Sequence, residues 1–345
     1  MLVAIKKEIF LRKDELQNKS IPSLYFGGGT PSILSVDEIQ ALIDEVLKYF
    51  SFENNIEITL EANPDDLDKD FLKGLSKTEV NRLSIGTQSF FEEDLKLMNR
   101  AHNASQAEDS IKRAQDFGFE NVSIDLIYGS PTSDFEIWKQ NLEKTVALQV
   151  PNVSSYALTV EQNTALSNWV QKNKVASPKE SEQNKAFYYM SEFLKENGFQ
   201  HYEISNFAKE GFHSKHNSAY WKYKEYLGIG PSAHSYNGIE RRSWNVSNNV
   251  TYCKRLNENQ LPHEIEILTP AEQHNEMLMI GLRTVWGVDL GKMKSQFSKE
   301  IMEQSEKNIQ QKIEEGVLII EEGYLKIPKK HWFLADGIAS DLFIL

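Results

Sequence analysis

Only one of the 345 residues is a cysteine, Cys253. A lone thiol builds no disulfide framework and fits a reducing compartment, so a cytoplasmic location is expected. No run approaches the roughly eighteen consecutive apolar residues of a membrane span. Met1-Leu2-Val3-Ala4-Ile5-Lys6-Lys7 also lacks the apolar core of a secretory signal, so no membrane insertion is expected. Positive charge is short as well. With 38 Lys and Arg against 50 Asp and Glu, the formal net charge is −12, which argues against nucleic acid or an anionic membrane surface as the main partner. What remains is an ordinary globular composition: 40% hydrophobic and 11% aromatic residues suffice for one large α/β domain and a smaller appendage.

Leu2, Ile5, Ile9, Phe10 and Leu16 recur at helical spacing among Lys, Glu and Arg, so the chain opens on an amphipathic helix. Strand patterns follow at Ser23–Phe26, Ile56–Leu60, Arg82–Gly86, Val122–Tyr128, Val153–Leu158 and, more weakly, His201–Ile204. Helices alternate with them: one from a capping box Ser35/Glu38 to Phe50, one at Asp68–Ser76, one from a capping box Ser105/Glu108 to Gly118, then Asp134–Leu148 and Lys179–Asn197. Such alternation means parallel βα units in a barrel or a doubly wound sheet. An alternation that starts on a helix predicts either a helical cap or a sheet whose first strand is missing from the chain. Lys254–Pro262 reads as a polar connector. Ala271–Arg283, Asp289–Phe297 and Lys299–Glu315 then read as helices, and Val317–Ile320 with Tyr324–Ile327 as a hairpin. Helices followed by a hairpin suggest a winged-helix-like module. With no concentration of Arg and Lys on those helices, it is expected to pack or cover rather than to read DNA. The implied division is 1–240 for the barrel part, 241–269 for a connector and 270–345 for the helical domain.

In parallel α/β folds ligands sit at the C-terminal strand ends. Here those ends carry Gly27-Gly28-Gly29-Thr30, Glu61-Ala62-Asn63-Pro64, Gly86-Thr87-Gln88-Ser89, Asp125 and Tyr156, with Arg100 in the loop after the third. Singly, each fits a turn or a helix cap. Together they outline one pocket rich in amides and carboxylates, suited to a zwitterionic ligand with a ribose. The Tyr25-Phe26-Gly27-Gly28-Gly29-Thr30-Pro31-Ser32 stretch is neither a P-loop, since no Gly-Lys-Ser/Thr follows, nor the dinucleotide fingerprint, whose glycines are spaced.

YFGGGTPS, EANPDD, RLSIGTQSF, NRAH and SIDLIYGSP stand in the order and approximate spacing of the oxygen-independent coproporphyrinogen III oxidase group of radical S-adenosylmethionine proteins, which the chain resembles over essentially its whole length. His216-Asn217-Ser218-Ala219-Tyr220-Trp221 followed by Gly228-Ile229-Gly230-Pro231-Ser232-Ala233-His234-Ser235 is similar to the heme-chaperone branch, HemW. The resemblance implies a partial parallel (β/α) barrel of radical-SAM type lacking its first strand, with a small, mainly helical, winged-helix-like C-terminal domain. It implies S-adenosylmethionine at Gly28, Gly29, Thr30, Glu61, Gln88, Arg100 and Asp125. It implies heme at His216, Asn217, Tyr220 and Trp221, with His216 toward the iron, and handover of heme to an unidentified acceptor protein. Arg241 or Arg242 could meet the propionates, and His201, His213 and His234 lie close enough in sequence to stand in for His216.

The family also implies a [4Fe–4S] cluster held by three cysteines in a CxxxCxxC loop after the first barrel strand, and here the sequence departs from it. That strand and loop are expected to be absent, either because Met1 is internal to a longer protein or because the chain is a variant without the cluster. Cys253 cannot replace three thiolates, so radical chemistry is not expected of these residues. Two functions stay open at this level: a heme chaperone, and an oxygen-independent coproporphyrinogen III oxidase that decarboxylates propionates to vinyl groups.

Overall fold

The computed structural model describes residues 1–131 and 134–344. In chain order the first half comprises α1 (Leu2–Arg12), β1 (Ser20–Phe26), α2 (Val36–Leu47), β2 (Ser51–Ala62), α3 (Lys69–Leu75), β3 (Arg82–Gln88), α4 (Glu92–Leu97), α5 (Ala104–Asp116), β4 (Asn121–Tyr128), α6 (Phe135–Ala147) and β5 (Asn152–Ala157). The second half comprises α7 (Ala165–Gln171), α8 (Glu180–Glu196), β6 (Gln200–Glu203), β7 (Asn206–Ala208), α9 (Lys215–Trp221), β8 (His234–Tyr236), β9 (Arg241–Asn245), α10 (Asn249–Asn257) and β10 (His263–Ile267). It closes with α11 (Pro270–Gly281), β11 (Val288–Asp289), α12 (Leu290–Gln296), α13 (Lys299–Glu314), β12 (Ile319–Glu321), β13 (Tyr324–Lys326) and α14 (Ala335–Ser340). Among the described residues no helix is long and apolar enough to cross a membrane.

Two compact units form: residues 24–36 and 57–214 make one, and residues 1–23, 37–56 and 215–345 the other. They are called the sheet unit and the flanking unit below. Seven strands form one sheet in the order β1-β2-β3-β4-β5-β7-β6. β2 through β5 pair in parallel, as βα alternation demands. The expected sixth strand departs from this: β6 turns straight back into β7, which pairs antiparallel with both β5 and β6. A two-residue connection permits only an antiparallel return.

The alternation of side chains decides what each sheet face holds. Ile58 and Leu60, Leu83 and Ile85, and Val122, Ile124 and Leu126 are fully buried and share a phase, and Leu72, Ala107, Ile111 and Leu142 of the helices that follow the strands are fully buried as well. The opposite phase is polar: Glu57, Thr59 and Glu61 on β2, Arg82 and Ser84 on β3, Ser123 and Asp125 on β4, Asn152 and Ser154 on β5.

Most helix ends fall where the residues indicate. Asp68 and Asp134 cap α3 and α6 by accepting from Phe71 N and Ile137 N, and Thr269 with Glu272 forms a capping box ahead of Pro270 on α11. The box expected at Ser105/Glu108 lies two residues earlier. Asn103 accepts from Gln106 N and Gln106 accepts in return from Asn103 N, both at 2.9 Å, because Asn caps as well as Ser, while Glu108 pairs with Lys112. Within the stretch read as a connector, β9, α10 and β10 are regular elements. Cys253 therefore lies on α10, packed against the Ala4, Tyr252 and Leu256 cluster, and not in a polar linker. In the C-terminal segment β11 joins the hairpin as a third antiparallel strand, paired to β13.

Candidate functional site

β1 delivers the glycine run, and each glycine there meets a different demand. A Cβ on Gly27 would lie 2.5 Å from the Tyr25 ring and 2.9 Å from the Glu61 carboxylate, so that position admits no side chain. Gly28 and Gly29 have open space around them but φ of +73° and +70°, a backbone that L side chains resist. The turn leaves all three exposed. Thr30 opens the short 3-10 turn Pro31–Ile33 without a side-chain bond to it.

Glu61, at the end of β2, fastens this loop. Its carboxylate accepts from the Tyr25 hydroxyl at 2.8 Å and from Gly28 N at 3.1 Å. Ser32 donates to Asp66 at 2.6 Å, and Asn63 N donates to the Ser32 hydroxyl at 3.3 Å, which ties the far end of the loop to the segment after β2. Ser32, Asn63 and Asp66 were visible in the motifs YFGGGTPS and EANPDD, yet nothing in their spacing gave them this fastening role.

Arg100 donates to Asn63 Oδ1 at 3.1 Å and to the Gly86 carbonyl at 3.3 Å, both neutral acceptors, and no carboxylate pairs with it among the described residues. Burial lowers its pKa from the usual arginine value. A Cβ on Gly86 would meet the Arg100 guanidinium at 2.9 Å and the Gln88 amide at 3.1 Å, so a bare Gly86 brings those two side chains together. Gln88 ends β3 with φ +63°. Asp125 lies on β4 with Ser84 donating to it at 3.5 Å, and burial followed by the charge of Glu61 lifts its carboxyl to about 7. The strand ends thus gather two carboxylates, a half-buried cation without a charged partner and an exposed glycine turn, all within the sheet unit.

The second set lies in the flanking unit on α9. His216 and Tyr220 stand one turn apart, and the His216 ring is engaged at both nitrogens: Nδ1 with the Ser23 hydroxyl at 3.2 Å and Nε2 with the Tyr220 hydroxyl at 2.9 Å. The Tyr220 ring meets Tyr226 edge-on at 4.6 Å, and Tyr226 leads on to Tyr236 at 6.3 Å. Trp221 lies beneath the Arg283 guanidinium at 5.3 Å, and Asn217 is half-buried on the same helix. Of the three alternatives to His216, His201 is buried against Phe207 and Ser191 and His213 sits edge-on to Tyr202, both in the sheet unit. His234 is exposed beside Trp244. Arg242 is taken up by Glu266 and Glu276, so it is not an open cation for a propionate.

Sequence reasoning missed Glu8 and Arg12 entirely. Both are buried on α1 and form an ion pair at 3.0 Å. Glu8 accepts further bonds from Gly230 N, the Asn245 amide and the Tyr252 hydroxyl, while Arg12 donates to the Gly228 carbonyl and the Ser235 hydroxyl. The Gly-Ile-Gly-Pro-Ser-Ala-His-Ser segment is therefore clamped by α1.

Among the described residues no group of three or more His, Cys, Asp or Glu could hold a metal ion, and Cys253 on α10 is the sequence's one thiol. The residues present do not fit a [4Fe–4S] cluster. They are compatible with S-adenosylmethionine: an exposed backbone turn in which Gly27 is crowded by Tyr25 and Glu61 while Gly28 and Gly29 take positive φ, and a guanidinium whose bonds go to neutral acceptors.

The Radical SAM superfamily model matches residues 5–145, and the HemN C-terminal domain model matches residues 268–334. The chain is 36% identical over 284 residues to the heme chaperone HemW of Lactococcus lactis subsp. lactis (strain IL1403), covering 81% of this chain and 73% of that one. It is 32% identical over 302 residues to the heme chaperone HemW of Bacillus subtilis (strain 168), covering 87% and 79%. Among solved structures, the coproporphyrinogen III oxidase (HemN) from Escherichia coli, a radical SAM enzyme, superposes with a TM-score of 0.83 at 22% identity, covering 99% of this chain and 82% of that one, which is a likeness of fold.

Proposed function

The chain belongs to the heme chaperone HemW family of the radical SAM superfamily, and on that premise we propose that it binds heme on the aromatic surface of α9 and passes it to an acceptor protein. The observation that carries this reading is the run of rings from His216 through Tyr220 and Tyr226 to Tyr236, a partly exposed aromatic surface of the kind a flat macrocycle packs against. In this reading Tyr220 and Trp221 supply apolar contact, and His216 and Asn217 supply polar contact at its edge.

S-adenosylmethionine is the second ligand of the proposal, held at the strand ends of the sheet unit. In this reading Arg100, whose own bonds go to neutral acceptors, takes its carboxylate. Gly28, Gly29 and Thr30 offer backbone to its amino group, and Glu61, Gln88 and Asp125 offer amide and carboxylate oxygens to its ribose. Since Glu61 already accepts from Gly28 N, it also sets the shape of the turn that the amino group would meet.

The likeness to coproporphyrinogen III oxidase is one of fold, and the residues present lack the thiolates that its radical chemistry would use. The test is a titration of the purified chain with ferric heme, followed by mixing with an apo-globin as a model acceptor. We expect saturable one-to-one binding, transfer to the globin, and roughly tenfold weaker binding in Trp221→Ala, the loss of about 1.4 kcal/mol of ring contact. Absence of saturable binding, or conversion of coproporphyrinogen III to its vinyl product by the same preparation, would overturn it.

A further inference from the structure

We propose that the imidazole that ligates the iron of heme on this chain is that of His234, not the motif histidine His216. The proposal deepens the heme reading above and rests on it.

A histidine ligates iron through the lone pair of a neutral ring nitrogen, so the nitrogen must be open. Both nitrogens of His216 are engaged, one by Ser23 and one by Tyr220 on its own helix. To ligate, His216 would have to break the 2.9 Å bond to Tyr220 and turn within a contact in which the two rings stand 5.0 Å apart and edge-on. His234 is in the opposite state. It is exposed, and its ring makes no hydrogen bond among the described residues.

An open side chain serves as a ligand only if its backbone is fixed, and here the backbone is fixed from several directions. Gly228 must be bare, since a Cβ there would lie 2.0 Å from the His234 carbonyl oxygen. Gly230 takes φ +110° and Ser232 φ +61°, conformations held by Ala233 N to the Gly230 carbonyl and Ser232 N to the Val246 carbonyl. Ser235, the next residue, receives Gly228 N at 2.9 Å and Arg12 at 3.0 Å on its hydroxyl. β8 then pairs with β9, His234 opposite Trp244 and Tyr236 opposite Arg242. Side chains two apart on a strand share a face, so His234 and Tyr236 point the same way, and Trp244 stands beside the imidazole with ring centroids 6.2 Å apart. Tyr236 is also the last ring of the run that begins at His216. The buried Glu8–Arg12 pair thus holds a loop whose one reactive side chain faces out, next to an indole wall and continuous with the proposed heme surface. His216 and Tyr220 become the far edge of that surface.

The experiment compares absorption and electron-paramagnetic-resonance spectra of ferric heme on the unsubstituted chain, His234→Ala and His216→Ala. Circular dichroism and melting temperature check that each variant folds, which the exposure of His234 favours. Loss of the histidine-ligated signature and a shift of the Soret band in His234→Ala, its retention in His216→Ala, and recovery in His234→Gly on adding imidazole support the assignment. An unaltered spectrum in His234→Ala, or a signature lost only in His216→Ala, overturns it while leaving the heme reading in place. No saturable heme binding by the unsubstituted chain overturns both.

Discussion

Asp125 illustrates how one residue can be legible as a site member and illegible in its behaviour. Its place at a strand end, inside SIDLIYGSP, marked it in the sequence. That its carboxyl rises to about 7 follows only from burial and from Glu61 across the sheet, neither of which spacing reveals. A carboxyl with a folded pKa above its unfolded value binds more protons in the native state, so stability falls as pH rises from about 4 to about 7 and then levels. Asp125→Asn removes this dependence. We expect the two melting curves to agree near pH 4 and the variant to be more stable by up to a few kcal/mol at pH 7.5. Parallel melting profiles of the two proteins from pH 4 to 8 would show that the carboxyl does not carry the shift. Gly27 gives the complementary lesson: the run of three glycines was conspicuous, but only the fold separates the position closed by Tyr25 and Glu61 from the two that need positive φ.

At the scale of elements, α1 is where hydrophobic periodicity misleads. The pattern Leu2, Ile5, Ile9 and Phe10 reads as an amphipathic helix that keeps its charges in water. In the structure Phe10 is 47% exposed and Val3 77%, while Glu8 and Arg12 are 0% and 1% exposed. The reason is a set of distant partners: Gly228, Gly230, Ser235, Asn245 and Tyr252 supply donors and acceptors that satisfy the two charges, and no local pattern announces partners more than two hundred residues away. Breaking one side of a buried pair costs more than replacing both, because the survivor keeps a desolvated charge. Arg12→Met should therefore destabilise the chain by about 3–5 kcal/mol, and the double variant Arg12→Met with Glu8→Gln by less than the sum of the single losses. Urea unfolding of the three variants checks this, and strict additivity would mean that the pair acts as two independent groups. The same burial and the charge of Glu8 push the Tyr252 hydroxyl up, so that it stays a donor to the cluster.

For the whole molecule, the net charge of −12 argues against one activity that the C-terminal shape invites. Helices beside a small antiparallel sheet resemble a winged helix, but α13 carries Glu300, Glu303, Glu306 and Glu314 against Lys299, Lys307 and Lys312. A helix with this balance offers no concentrated positive face to a phosphate backbone, so little counterion release is available to drive binding. Duplex DNA of random sequence should show no mobility shift with the purified chain at about 50 mM salt, where non-specific binders bind most tightly. A shift that weakens steeply with added salt would overturn this.

The parallel β2-to-β5 layout, the polar strand ends, most helix limits and the family were legible before any fold was seen. Those depend on residue type and spacing along the chain: period-2 and period-3.6 patterns, caps, and motifs in fixed order. That β6 turns back into β7, that Cys253 packs on a helix, that His216 is engaged at both nitrogens while His234 is open, and that Glu8 and Arg12 are buried emerge only from the folded chain. Each of these depends on which distant groups meet across the fold, since a hydrogen bond or a buried charge is set by its partner, and the partner's place along the chain leaves no trace in local pattern.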